Sequence, residues 1–196
     1  MENNIILYLP VSLGEAIDKL TILDIKLEKI KDNIHVQKEY DLLYDKINNY
    51  IDKNKELYVS MKKINLIIWN QMDTLRNNDL NEEEYLRLCK ECIDCNDIRF
   101  RIKNKINFNS ILKEQKSYKK TKLLLVINCE INNDIIEYIK YNSFIFDEVY
   151  IPNNNSLEEV FKYDKFIKFK NTHIFNKKII INNSNEIVDK FLFNIL

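Results

Sequence analysis

Apolar residues recur along the first 110 or so positions at intervals of three and four, and beyond them in short unbroken runs. The first pattern belongs to amphipathic helices and the second to strands buried on both faces. From Leu13 the chain places Ile17, Leu20, Leu23, Leu27, Ile30 and Ile34 on one helical stripe, and Ile22 and Ile25 widen the buried arc. Ser12 followed by Glu15 reads as a capping box, with Glu15 reaching back to Ser12. A second stripe runs through Tyr40, Leu43, Ile47, Tyr50, Leu57, Met61, Ile64, Ile68, Met72 and Leu75. One unbroken helix from Val36 to Arg76 would be roughly 60 Å long. Helices of that length are coiled-coil-like or kinked, and Asp52-Lys53-Asn54 is the expected break. Asn77-Asn78-Asp79 is expected to turn. Asn81 then caps a third helix that carries Glu82, Glu83 and Glu84 in its first turn and ends near Asn109.

The period changes after the basic stretch Lys113 to Lys122, which reads as a linker. Leu123 to Ile127 is a compact apolar run, Asp134 to Tyr141 is amphipathic, and Glu148 to Ile151 is short and β-prone. Ser156 is expected to cap another helix, Phe166 to Phe169 and Ile179 to Ile181 to form strands, and Glu186 to Leu196 to close as a helix. Strands alternating with helices imply a small, mostly parallel sheet. The expected class is therefore α + α/β. An antiparallel, coiled-coil-like long-helix bundle over 1–118 precedes a small α/β domain over 119–196.

Composition removes several function classes. Lysine plus arginine equals aspartate plus glutamate, 30 against 30, so the net charge steers the chain toward neither nucleic acid nor membrane. No segment is apolar for the length a bilayer needs, and the four cysteines do not form a secreted disulfide framework. A cytoplasmic chain with no membrane partner is the expectation. Gly14 is the only glycine and Ala16 the only alanine, while Asn, Ile and Lys abound, the signature of an AT-rich genome. Without glycines there is no Walker loop, dinucleotide fingerprint or nucleophile elbow. Asparagine is expected to serve the tight turns, because it tolerates the left-handed conformation.

The third helix carries the candidate chemistry. A helical wheel places Arg87, Lys90, Asp94, Arg101 and Lys105 on a solvated face. Asn96, Arg99, Lys103 and Asn107 fall between two apolar flanks, where a core is expected. On the first helix Glu15, Lys19 and Lys26 lie beside Ile22, away from an exposed edge at Thr21, Glu28 and Asp32. The second pattern ends with Asn65, Trp69, Asp73 and Arg76 along one line. Buried charges need partners or a bound ion, so three such stripes imply convergence. Two readings stay open. One is a structural network of ion pairs, in which Asp18 or Asp73 satisfies Arg99 and Lys103. The other is a site for an anionic small molecule such as a sugar nucleotide or sugar phosphate. There Lys19, Lys26, Arg99 and Lys103 would contact the anion, Asn96 and Asn107 would orient it, and Asp18 or Asp73 would position the cations.

The same residues carry a resemblance. Pro10-Val11-Ser12-Leu13-Gly14-Glu15, Asp18-Lys19-Leu20-Thr21-Ile22-Leu23 and Ile25-Lys26-Leu27-Glu28 are followed by Trp69, Asp73 and Arg76. Then come Asn96-Asp97-Ile98-Arg99, Lys103, Ile106-Asn107 and Glu114-Gln115-Lys116-Ser117-Tyr118. This succession resembles an uncharacterised bacterial and giant-virus family, domain of unknown function 6165, over roughly 9–118. Gln115 departs from the family pattern, which more often has two acidic residues there. The resemblance implies a helical fold and an association with surface-glycan synthesis, but no reaction.

Other chemistry is thinner. Cys89, Cys92 and Cys95 spread across about 120° of a helix and do not face one ion together. His35 and His173 have no nucleophile motif beside them. Arg99 to Lys122 holds nine basic residues and the single acid Glu114, which helix-end electrostatics and the preceding acidic stretch account for without nucleic acid. Asn132 to Asp134 could put a helix start beside a ligand, although a plain turn serves equally. The expected function is a non-catalytic interaction or assembly module with a protein partner or as a homodimer. The alternative is the anionic-ligand site; no cofactor and no metal is implied.

Overall fold

The computed structural model describes residues 8–112, 114, 115, 122–151, 167, 168 and 177–182. Four helices come first: α1 (Leu13–Lys29), α2 (Ile34–Lys53), α3 (Lys55–Asn77) and α4 (Glu82–Ile106). Strand β1 (Leu123–Ile127), helix α5 (Asn133–Asn142), β2 (Glu148–Tyr150), β3 (Ile167–Lys168) and β4 (Lys177–Ile181) follow. This is the α + α/β class. His173, the helix expected at Ser156 and the one expected over Glu186 to Leu196 lie outside the described residues.

Helix boundaries follow side-chain amides. The first helix stops at Lys29, short of the expected Ile34, because Asn33 folds back on its end. The Asn33 Nδ2 donates to the carbonyls of Leu27 and Ile30, both at 3.1 Å. Those carbonyls would otherwise be orphaned, and the turn lets Ile34 open α2. The expected break in the second pattern is the single residue Asn54, whose Nδ2 donates to the Tyr50 carbonyl at 2.8 Å. Asn81 and Glu84 complete a reciprocal capping pair, with Asn81 Oδ1 accepting from the Glu84 N–H. Asn132 Oδ1 caps α5 by accepting from the Ile135 N–H. Asn33, Asn54 and Asn132 all have φ between −125° and −116°. The left-handed turns expected of asparagine are absent at these three residues. They act through hydrogen bonds, not through unusual backbone.

The chain packs as two compact units, Met1–Leu66 with Ile102–Gln115 and Ile67–Arg101 with Lys116–Leu196. In the first unit α1 runs antiparallel to the start of α3, since Asp18 meets Asn65 while Asp24 meets Tyr58. Its core is Ile17, Leu20, Leu23, Ile25, Met61, Ile64 and Ile102, all sealed from water. In the second unit the sheet order is β3-β2-β1-β4, every pair parallel. Central β1 has all five residues buried, as its unbroken apolar run requires. Helix α5 crosses between β1 and β2 and buries Ile135, Tyr138 and Ile139.

Arg101 corrects the helical wheel. Expected on the solvated face, it is buried and donates from one Nη to the Ile145 carbonyl. Its other Nη pairs with Asp147 Oδ2 at 2.7 Å. The same Oδ2 accepts from the Leu123 N–H at 2.8 Å, and the Asp147 N–H donates to the Leu123 carbonyl at 2.9 Å. One guanidinium thus ties α4 to the entrances of β1 and β2. A wheel drawn on α4 alone cannot see an acceptor 46 positions downstream. Removing one partner of such a pair leaves the other uncompensated, so Arg101→Ala should cost about 3 kcal/mol. Urea unfolding monitored by circular dichroism measures it, and a loss well under about 1 kcal/mol would contradict the tie.

Candidate functional site

One or two residues of each polar stripe meet near the junction where α1 begins and α4 ends: Glu15, Asn65, and Lys103 with Asn107. Ser12, the N-cap of α1, accepts from the Glu15 N–H at 3.2 Å. The capping box stops there. Glu15 does not reach back to Ser12, because its Oε1 lies 2.8 Å from Lys103 Nζ on α4. A buried ammonium exerts a stronger pull on a carboxylate than a neutral backbone N–H does.

Asn107, fully buried, closes the junction with both ends of its amide. Its Oδ1 accepts from the Gly14 N–H at 2.8 Å and its Nδ2 donates to Ser12 Oγ at 2.9 Å. Gly14 makes this approach possible. A Cβ at that position would stand 2.7 Å from both Asn107 Nδ2 and the Lys103 carbonyl oxygen. The only glycine of the chain therefore sits where the backbone of α4 occupies the space of a side chain, and its role is space, not backbone freedom.

Deeper in the unit, Asn65 on α3 donates to Asp18 Oδ1 at 2.8 Å and to Thr21 Oγ1 at 2.9 Å. Thr21 in turn donates to the Asp18 carbonyl at 2.8 Å. Thr21 was expected at the exposed edge and is instead wholly buried, since this amide gives its hydroxyl a partner. Lys103 Nζ sits among three carboxylates, those of Glu15, Asp18 at 3.8 Å, and Glu114. Burial alone would lower its pKa. Hydrogen bonds to Glu114 and Glu15 and the nearby charge of Asp18 outweigh burial, and the ammonium is held above its usual range. An ammonium has three protons. With three carboxylates around it, it presents no charge for a further anion.

A second cluster ties α1 to α3. Tyr58 donates to Asp24 Oδ2 at 3.0 Å, and Lys62 bridges Asp24 and Glu28, each at 2.7 Å. Burial first, then the charge and hydrogen bond of Asp24, push the Tyr58 phenol well above its ordinary value.

The eight residues proposed for ligand binding have different fates. Asp18, Lys103 and Asn107 share the junction. Lys19 reaches across the surface to Glu39 on α2 at 2.7 Å. Lys26 is half-buried on α1, and Asp73 is exposed on α3. Asn96 is half-buried and donates to the Cys92 carbonyl at 2.9 Å, while Arg99 is half-buried on α4. Glu15, Ser12, Gly14, Thr21 and Asn65 complete the junction. Glu15 and Asn65 lay on the predicted stripes, whereas Ser12 looked like a cap only. Cys92 Sγ lies 3.9 Å from Met72 Sδ, and burial followed by neighbouring Cys89 raises its pKa, which keeps the thiol protonated. No family model, curated protein or solved structure matches the chain.

Two outcomes follow from this geometry. Gly14→Ala should destabilise the fold by about 2 kcal/mol through overpacking, where most helical Gly→Ala changes would stabilise. Denaturant midpoints of the two proteins give the sign directly. The second outcome concerns pH. Lys103 and Tyr58 have folded-state pKa values above their unfolded ones. Their contribution is complete below the unfolded values, near pH 10, and is lost as pH rises through the folded ones. The melting temperature should fall on titration from about pH 9 to 11, and Lys103→Gln should flatten that fall.

Proposed function

We propose that the chain is a non-catalytic helical assembly module that pairs with a second copy of itself through the outer face of α2. The observation that carries this reading is the sparse burial of that helix. Of its 20 residues only Ile47 is buried. Ile34, Leu42 and Tyr50, spaced eight apart, are each more than half exposed, and Tyr44 is close to half. Single exposed apolar residues are ordinary, but four of them on a helix with so little burial suit a partner. At about 100° per residue an eight-residue spacing advances about 80° per step, so Ile34, Leu42 and Tyr50 spread over roughly 160° of the helix surface.

Charge supports a like partner. Lys38, Asp41, Asp45 and Lys46 place both signs of charge along the helix, so a second copy meets no one-sided field. The polar junction supports the same reading by elimination. Lys103 is enclosed by carboxylates and Lys19 is taken up by Glu39, which leaves the anionic-ligand reading without two of its four cations. The association with glycan synthesis implied by the family resemblance would then be that of a scaffold.

Light scattering coupled to size exclusion tests this over a concentration series. The expected result is a dimer that Leu42→Glu weakens about tenfold or more. A monomer at every concentration, or a dimer indifferent to Leu42→Glu and Ile34→Glu together, would refute it.

A further inference from the structure

Met72 on α3 and Cys92 on α4 bring two sulfur atoms together within the second unit. Met72 Sδ lies 3.9 Å from Cys92 Sγ. Cys89 sits one turn earlier on α4, about 60° away around the helix, a spacing that puts Cβ atoms roughly 5–6 Å apart. It is close enough for its charge to act on the Cys92 thiol. All three side chains are half-buried, and neither cysteine is in a disulfide. Cys95, next in the series, is sealed from water. The expectation of no metal took the thiols of α4 as the whole donor set. The thioether comes from another helix, 20 positions away from Cys92.

The separation of the two sulfurs matches that of two ligands on one ion. Metal–sulfur bonds are about 2.3 Å long, and at angles of about 110–120° two of them hold their sulfurs about 3.8–4.0 Å apart. Rotation of the Cys89 side chain between its staggered positions supplies the third sulfur, and the unbranched Met72 adjusts to it. The donor set decides which ion. Among the described residues no group of three or more His, Cys, Asp or Glu side chains is placed to hold a metal, as a zinc site would require. Two thiolates and a thioether are soft donors, which suit copper(I). We infer that Met72, Cys89 and Cys92 form a three-sulfur site for copper(I). Binding replaces two S–H bonds by two S–Cu bonds and releases two protons to water. The thioether stays neutral, and no atom changes oxidation state. Asn96 Nδ2, 3.9 Å from Cys92 Sγ, donates toward that sulfur and steadies the thiolate.

Anaerobic titration of the full chain with copper(I), in competition with the chromophoric chelator bicinchoninate, tests the site. One equivalent should be withdrawn from the chelator. Cys89→Ser and Cys92→Ser should each weaken binding about a hundredfold or more, and Met72→Leu, which keeps the volume, about tenfold. Cys129→Ser removes a thiol outside the cluster and should bind as the parent does. Release of two protons should make the affinity fall about a hundredfold as the pH is lowered from about 7 to 6. That slope is read on the parent chain, so it stands even where a variant fails to fold. Ordinary packing of the two sulfurs would give neither the binding nor the slope. The inference is overturned if copper stays with the chelator, if Cys129→Ser costs as much as Cys89→Ser, or if a folded Met72→Leu binds like the parent. A slope of about tenfold, the mark of a single thiolate, overturns it too, as does displacement of copper(I) by an equal amount of zinc.

Discussion

The helical unit depends on one close approach, the backbone of α4 pressed against Gly14. Two helices normally stand 8–10 Å apart because side chains fill the gap. Here the missing Cβ lets the Lys103 carbonyl and the Asn107 amide into the space a methyl would take. The polar contacts between α1 and α4 are set by that approach. Asn107 can reach both the Gly14 N–H and Ser12 Oγ only from there, and Lys103 is carried within range of Glu15 and Asp18.

Burying Lys103 is expensive, and the unit meets the cost with carboxylates from two places in the chain, α1 and Glu114 beyond α4. The result resembles a lock more than a pocket. Polar side chains that each have one geometry in which they are satisfied specify the pairing of helices more sharply than leucines do. Arg101 does comparable work in the other unit, where its guanidinium joins α4 to Ile145 and Asp147. Both cations sit near the end of the same helix, and both are held by acceptors on other elements.

Much of the fold was legible because period and capping are local. The helix starts at Ser12 and Asn81, the break at Asn54, and the strands at Leu123–Ile127 and Lys177–Ile181 stand close to where pattern put them. The convergence of polar stripes was legible for Glu15, Asp18, Asn65, Lys103 and Asn107. What escaped depended on partners distant in sequence. Thr21 and Arg101 look solvent-facing on a wheel, and distant partners, Asn65 for the one and Ile145 with Asp147 for the other, allow their burial. Gly14 carried a signal that went unused: a lone glycine inside a helix, in a chain that otherwise avoids the residue, marks a steric need.

The reliance on asparagine has a chemical corollary for how the protein ages. Deamidation turns the amide into a carboxylate, which keeps the acceptor oxygen and loses the donor nitrogen. Asn132 uses only its oxygen, so its cap would survive the change. Asn33 and Asn54 use only their nitrogens, and the ends of α1 and α2 would lose their clasps. Asn107 uses both atoms and is buried, so a carboxylate there would face Ser12 Oγ without the N–H that now binds it. No asparagine in the chain precedes a glycine, the sequence that favours the reaction most, so the scarcity that made amides necessary also slows their decay.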